Sequence, residues 1–318
     1  MLAVYIGFVN SPVFYVPSKH HRDPEGRSHN MLNRIRNLFL DNRSLQKINY
    51  ALSRGAASSA LRSVDLVSPQ SWEFSGFSQN GEDGILEVLL KNILQPNRYF
   101  IEIGTADGLE NNTSWLSIVH RYSGLCIEGN PDKSALHKRV FLPLNYGLSF
   151  QNLFVTRETA SQLTDLTQSL TPDIFSLDID GIDWHVAVSV LDAGFRPRVF
   201  VVEYNSAFGP NEPLTIPYQP DFRIGDKPAD RLYYGSALAA WRRLFENRGY
   251  QFVTVDRNGV NAFFVHRQDF HESFLNQISG LQFAENFSQR KDHPTGWRDQ
   301  FSLIQHRNFI VVNPNENI

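Results

Sequence analysis

The 318-residue sequence predicts an α/β fold built on a mostly parallel sheet, and three observations carry that expectation. Apolar runs at 99–103, 124–128, 152–155, 174–178 and 199–203 read as strands, separated by helix-like stretches at about 112–120, 131–137, 158–169 and 184–193. Regular alternation of this kind argues parallel strands with helices on both faces. The array then closes differently: Tyr250–Val255 and Val260–Val265 flank Asp256-Arg-Asn-Gly259, and Asn-Gly between two apolar runs signals a hairpin. Finally, Tyr99-Phe-Ile-Glu-Ile103 leads into Gly104-Thr-Ala-Asp-Gly108, after which Leu109–Trp115 opens a helix. Such a joint binds nucleotide-like ligands, because glycines let backbone approach the ligand and helix N–H groups face it.

The whole chain narrows the function class. An apolar fraction of 42% with 20% charged residues is that of a globular protein. A net charge of −3 gives no reason to expect nucleic acid or an acidic membrane as partner. The single cysteine, Cys126, lies in the apolar run 124–128 and reads as a buried, reduced thiol. Met1–Val9 is apolar but has no basic flank, and Asn10, Ser11 and Pro12 interrupt it. It falls short of the roughly 20 residues of a membrane span and reads as an edge strand or docking arm. With no targeting segment evident, the expected location is the cytoplasm.

Ahead of the sheet, residues 19–29 read as a polar loop whose His20, His21 and His29 are solvated. Leu32, Ile35, Phe39, Leu45, Ile48 and Leu52 recur at helical spacing, so 31–53 reads as a basic amphipathic helix packed on the neighbouring domain. The weakly patterned stretch 58–72 reads as a linker, and Gly76–Gly84 as the start of a helix. Beyond the fifth strand come a polar, proline-rich insertion at 206–231, a helix over 234–249 and the hairpin. Phe309–Val312 reads as a short strand. The expected organisation is an N-terminal arm and helical extension (1–75), a central domain (76–268) and a C-terminal extension (269–318).

Ligands of open α/β sheets sit outside the carboxyl ends of the strands, and there the expected strands end in acids: Glu102, Glu128, Asp178 with Asp180, and Glu203. Clustered acids need a cation or hydrogen-bonding ligand to compensate them. Glu102-x-Gly104-x-x-x-Gly108 lacks the Gly-x-Gly-x-x-Gly spacing of dinucleotide binders, whereas Glu128 suits the two hydroxyls of a ribose. S-adenosylmethionine (SAM), a cation bearing a ribose, fits an acidic pocket without a phosphate cradle. A parallel array that finishes in an antiparallel hairpin is also the strand plan of the Rossmann-like methyltransferase fold, here with a seven-stranded sheet.

Asp178-Ile-Asp-Gly-Ile-Asp-Trp-His185 admits several readings. Asp178 and Asp180 share one side of a strand and could hold a hard cation such as Mg²⁺ with Glu203 or Asn205. Asp-x-Asp-Gly also opens haloacid-dehalogenase-type phosphatases, although Ile182 stands where Thr or Val is usual. Asp183 suits a helix cap, and His185 suits either a general base or a buried structural histidine.

Taken together, Ser78–Gly84, Phe100–Gly108, Ile127–Pro131, Ser176–Gly181, Val202–Asn205, Tyr234–Ser236 and Gly259–Phe264 resemble the FkbM-type SAM-dependent methyltransferases, over about residues 77–267. The resemblance implies that Glu102, Gly104 and Asp107 line the methionine side of the donor, that Glu128 holds the ribose and that Asp178 closes the pocket near the methyl group. Gln79, Thr105, Gly108, Asn112 and Asn130 complete the implied donor set. Ala106 departs from the pattern, standing where many methyltransferases carry a second glycine.

The expected activity is O-methylation of a hydroxyl on a sugar, glycan or secondary metabolite. Catalysis falls to His185, Asp180 and Asp178, and Asp178, Asp180 and Glu203 are the candidate metal ligands. The alternatives are an Mg²⁺-dependent phosphatase using Asp178 and Asp180 and a non-catalytic binding module. The implied partner is a small-molecule or glycan acceptor, with the insertion as its lid. The sequence leaves a homo-oligomer open.

Overall fold

The computed structural model describes residues 24–313, with side chains from residue 42 onward. Met1–Val9, His20 and His21 lie outside the described residues, as does the side chain of His29. The chain forms two compact units, Met1–Arg43 and Ser44–Ile318. Helix α1 (Pro24–Leu61) starts inside the stretch expected to be a loop, at a proline, which suits a first helical position because its missing N–H would be unpaired there anyway. Its buried stripe within the second unit is Ser44, Ile48, Ala51 and Gly55, whereas Leu45 is exposed. Small residues face inward because Trp115 packs there: a Cβ on Gly55 would stand 2.3 Å from its ring.

The expected linker ends in the core. Trp72 is fully buried, and its indole N–H donates to the Asp65 carbonyl. Helix α2 (Glu82–Lys91) follows, with Glu82 in its first turn and Lys91 in its last, each complementing the helix dipole. The alternating array is then β1 (Tyr99–Ile103), α3 (Ser114–Ile118), β2 (Ser123–Glu128), α4 (Pro131–Phe141), β3 (Leu148–Asn152), α5 (Leu163–Leu166), β4 (Ile174–Leu177), α6 (Asp183–Asp192) and β5 (Val199–Glu203). The insertion carries β6 (Leu214–Thr215), and α7 (Leu238–Glu246), β7 (Tyr250–Val255) and β8 (Asn261–His266) close the array. After them come α8 (Glu272–Gln277), α9 (Phe287–Asp292), α10 (Trp297–Ser302) and β9 (Ile310–Val311).

The main sheet has seven strands in the order β3-β2-β1-β4-β5-β8-β7, with β8 antiparallel to both of its neighbours. That is the order of the Rossmann-like methyltransferase fold. Alternate residues face opposite sides. Ile101, Ile127, Phe175 and Val202 join the core under α6 and α7, and Phe100, Cys126, Ile174 and Val201 join the core under α1, α2 and α8. Cys126 is buried as a free thiol. The Asp256 carboxylate organises the hairpin turn, accepting the N–H groups of Asn258, Val260 and Asn261, while Gly259 takes φ +71°.

Some boundaries differ from expectation for local reasons. The third strand is Leu148–Asn152, because its register on β2 ends with Asn152 level with Glu128. Leu153–Val155 therefore leave the sheet and wall a cavity. The helix expected over 158–169 shrinks to short turns that stop at Leu166: Thr167 is extended, and its hydroxyl takes the Ser169 N–H that a continuing helix would use. The helix expected over 234–249 begins only at Leu238, since Ser236 bridges to Thr215. The short C-terminal strand pairs with the insertion as β6·β9. No helix among the described residues is long and apolar enough to cross a membrane.

Candidate functional site

The strand order reverses between β1 and β4, the position where open sheets leave a crevice for ligands. Two adjoining cavities open there. The larger, of about 580 Å³, is walled by Gly104, Ala106, Glu128, Asn130, Leu153–Val155, Asp178–Ile182 and, from the insertion, Pro220, Phe222 and Arg223. The smaller, of about 90 Å³, is walled by Gln79, Asn80, Glu82, Glu102, Asn111, Asn112, Val260 and Asn261. Gly104, Glu110 and Asp178 line both.

The loop after β1 is shaped by close approach. Gly104 has φ +90°, and a Cβ there would lie 1.7 Å from the Asp178 carbonyl oxygen, so only glycine lets the two strand ends meet. Ala106 takes φ +48°, a left-handed conformation at the position where the resemblance expects glycine. Glu128 locks it: one carboxylate oxygen accepts the Ala106 N–H at 2.8 Å and the other the Asn130 N–H at 2.7 Å. Each oxygen keeps acceptor capacity toward the cavity. Asn130 caps α4, its side chain accepting from Asp132 and Lys133 N–H.

Three residues of the expected donor set support this loop from behind and line neither cavity. The Thr105 hydroxyl lies 3.2 Å from His137 Nδ1, a ring that burial keeps neutral, its pKa lowered to about 3. Gly108, at φ +76°, packs on His137 and Phe141. Asp107 accepts the Leu109 N–H at 3.1 Å.

Around the smaller cavity, Glu102 accepts from Asn112 N–H at 3.0 Å and from the Thr113 hydroxyl. Burial outweighs those donors and raises its pKa to about 7. The Asn112 amide donates to Ser176 Oγ at 3.1 Å, and Gln79 donates to Glu110 at 3.1 Å.

Beyond β4, oxygens of Asp178, Asp180 and Glu203 lie within 4.8 Å of one another. Burial, then the neighbouring acids, hold the Asp178 and Glu203 carboxyls well above the usual carboxylate range. Asp180 takes φ +55° and stands exposed on the cavity wall; its carboxyl is raised by desolvation, against the pull of Lys133. Tyr234 donates its hydroxyl to Glu203 at 3.2 Å. Three carboxylates form an all-oxygen donor set, the type that suits a hard divalent cation. Asn205 does not join them: its amide oxygen accepts from Ala207 N–H, and its amide nitrogen donates to the Leu232 and Tyr234 carbonyls.

Asp183 and His185 serve the local structure. The Asp183 carboxylate accepts the Ile179 and Gly181 N–H groups at 2.8 Å each, bracing the turn before α6 instead of capping the helix itself. His185 is buried, with Nε2 2.8 Å from the Ile216 carbonyl oxygen, and burial lowers its pKa. It lines neither cavity.

The cavity walls also hold residues that the sequence reading assigned no role: Glu82, Glu110, Asn111, Lys133, Phe154 and Asn261. Glu82 and Asn261 sit in matched motifs, which was the available signal. Asn111, Lys133 and Phe154 carry none, because only the tertiary fold turns them inward.

No family model matches the chain, and no curated protein matches it. Among solved structures it is similar to an O-methyltransferase from Bacillus cereus in complex with SAH, at 16% identity and TM-score 0.39, covering 69% of this chain and 89% of that one. It is similar to cofactor-bound Rv0187 from MTB at 18% identity and TM-score 0.39, covering 70% and 90%. A SAM-dependent methyltransferase from Geobacter sulfurreducens in complex with S-adenosyl-L-homocysteine gives 12% identity and TM-score 0.35, covering 62% and 70%. The fold assignment rests on the strand order of this chain, not on these likenesses.

Proposed function

We propose that the protein is a SAM-dependent methyltransferase of the FkbM type that O-methylates a hydroxyl of a sugar, glycan or secondary metabolite. The observation that carries this reading is the convergence of Glu102, Glu128 and Asp178 on two joined cavities at the strand-order reversal. The walls present Glu82, Glu102, Glu110, Glu128, Asp178 and Asp180 against only Lys133 and Arg223, which favours a cationic ligand over a phosphate.

Glu128 would take the ribose hydroxyls with its remaining lone pairs, and Gly104 admits the ligand to the backbone. Bound there, SAM supplies a methyl group on a sulfonium, which an acceptor oxygen takes as the carbon–sulfur bond breaks and the thioether leaves. The chain must orient the acceptor and receive its hydroxyl proton. Asp180, exposed on the wall with its carboxyl raised above the usual carboxylate range by desolvation, suits that base role better than His185, whose ring is committed to Ile216. A second reading of the same acids is Mg²⁺ held by Asp178, Asp180 and Glu203, favoured by their 4.8 Å grouping; its chemistry there would be to ease deprotonation of the hydroxyl. The insertion is the proposed acceptor lid, with Phe222 on the wall and the Arg223 guanidinium 4.6 Å from the Phe154 ring centre.

Titration calorimetry with S-adenosylhomocysteine tests the reading. The expected result is binding by the full chain that Glu128→Ala abolishes; no binding by the wild type overturns it. Turnover of labelled SAM with and without exhaustive chelation then separates the two routes of proton removal.

A further inference from the structure

We propose that a cleft between the insertion and the C-terminal extension holds the methyl acceptor, and that it takes an uncharged sugar unit. The proposal rests on the methyl-transfer reading and narrows its acceptor to one class.

The cleft has a volume of about 400 Å³. Ile216, Gln219 and Phe222 line it from the insertion, Tyr233 from the segment that follows, and Arg307 and Asn308 from the C-terminal extension. The β6·β9 pairing ties these stretches together. A separate small core that includes Phe208, Leu214, Ile216, Leu232 and Ile304 supports them, with Phe222 and Tyr233 packed against it. The walls are therefore built into the fold by packing and strand pairing.

The cleft adjoins the larger cavity. The Ile216 N–H donates to the Gly235 carbonyl at 3.3 Å, and the Gly235 N–H donates to the Gly181 carbonyl at 2.9 Å. Gly181 lines the larger cavity next to Asp180. A Cβ on Gly181 would stand 2.7 Å from the Phe222 ring, so glycine there lets the insertion close onto this strand end. Phe222 itself lines both spaces. An acceptor seated in the cleft thus has the Phe222 ring between it and the carboxylate proposed as base, and a hydroxyl passing that ring enters the donor cavity.

The walls define the class. Among the described residues that line the cleft, Arg307 alone is charged. Its guanidinium is paired with Asp230 and lies 5.0 Å from the Tyr233 ring centre. A cation already matched offers little to an anionic acceptor, and no carboxylate in the lining awaits a cationic one. Gln219 and Asn308 are exposed, and their side-chain amides form no hydrogen bond with the described residues. An amide both donates and accepts, as a hydroxyl does, so the two suit a polyhydroxylated rim. Ile216, Phe222 and Tyr233 suit the C–H face of a sugar ring. Apolar walls with a few polar groups are the usual make-up of a small-molecule site.

Saturation-transfer NMR on the full chain tests this with the methyl glycosides of glucose, galactose, mannose, rhamnose and N-acetylglucosamine. Methyl glucuronide is the charged comparison, and S-adenosylhomocysteine binding is measured in parallel by calorimetry. At least one neutral glycoside is expected to bind, more tightly than the glucuronide, and to take label from labelled SAM. The double variant Gln219→Ala/Asn308→Ala is expected to bind that glycoside about tenfold more weakly, since it loses two neutral hydrogen-bonding groups. Unchanged S-adenosylhomocysteine binding by the same variant reports an intact fold and donor cavity. Wild-type protein that binds S-adenosylhomocysteine but no neutral glycoside overturns the cleft while the SAM reading stands. So does preference for the glucuronide, a bound glycoside that takes no label, or a double variant that binds it as tightly as the wild type. Wild-type protein that binds a glycoside through Gln219 and Asn308 but no S-adenosylhomocysteine overturns the SAM reading and the acceptor role, and leaves the sugar preference of the cleft standing.

Discussion

Glu128, at the end of one strand, accepts the backbone N–H of Ala106, in the loop after the neighbouring strand, at 2.8 Å. Its other oxygen accepts from Asn130 at 2.7 Å, so one carboxylate ties together two ligand loops. Glu128→Gln keeps one acceptor and places an amide donor against the other N–H. We expect it to lower stability by about 1–2 kcal/mol in denaturant melts and to weaken S-adenosylhomocysteine at least tenfold. Unchanged stability would mean that the two loops do not depend on this carboxylate.

The two tight positions of the same loop should respond in opposite ways. Gly104→Ala puts a Cβ 1.7 Å from the Asp178 carbonyl oxygen at φ +90°, and should cost more than about 3 kcal/mol or prevent folding. Ala106→Gly relieves a left-handed alanine at φ +48° and should be neutral or stabilise by up to about 1 kcal/mol. Urea titrations of both variants decide this; a destabilised Ala106→Gly would show that the loop draws its rigidity from alanine.

Asp83 gives a pH signature. It is fully buried, and although Gly76 and Ser78 N–H groups donate to one oxygen, the other has no partner; burial raises its pKa to about 7. Between its unfolded value near 4 and about 7 the folded chain holds a proton that the unfolded chain has released. Stability from this group therefore falls as pH rises through that window and levels off above it, by roughly a few kcal/mol in all. Asp83→Asn cannot ionise and should flatten the decline of melting temperature between pH 4 and 7. Parallel pH profiles for the two proteins would refute the assignment.

Arg62 fastens the end of the long helix to the core. It donates to Glu87 at 2.8 Å and to the Gly84 and Trp72 carbonyls, with its side chain 9% exposed. Arg62→Met strands part of a buried carboxylate and two carbonyls, and should cost about 2–4 kcal/mol. Arg62→Lys should recover little, since an ammonium cannot span that fork of acceptors. Full recovery by lysine would reduce the role to charge alone.

Much of the architecture was legible because it is written in local periodicity. The runs ending at Glu102, Glu128 and Glu203 are apolar enough to be strands in any context, and Asn258-Gly259 specifies a turn by its backbone preferences. The same local logic placed acids at the strand ends and brought Asp178, Asp180 and Glu203 into one group. It failed where a hydroxyl or a neighbouring strand decides a boundary, as at Thr167 and Asn152.

Only the tertiary structure decided which polar residues face the ligand space. Spacing gives no reason to separate Asp107, which turns back on Leu109, from Asn111, four residues later, whose amide nitrogen is left without a partner beside the smaller cavity. His185 looked as available as Asp180 until its ring met the Ile216 carbonyl in the insertion. Glu82 and Asn261 are 179 positions apart and become one hydrogen-bonded wall only when the hairpin folds back beside the fifth strand. Sequence sets the preference of each segment; the direction of a polar side chain depends on partners that distant segments bring, and those exist only once the sheet has assembled.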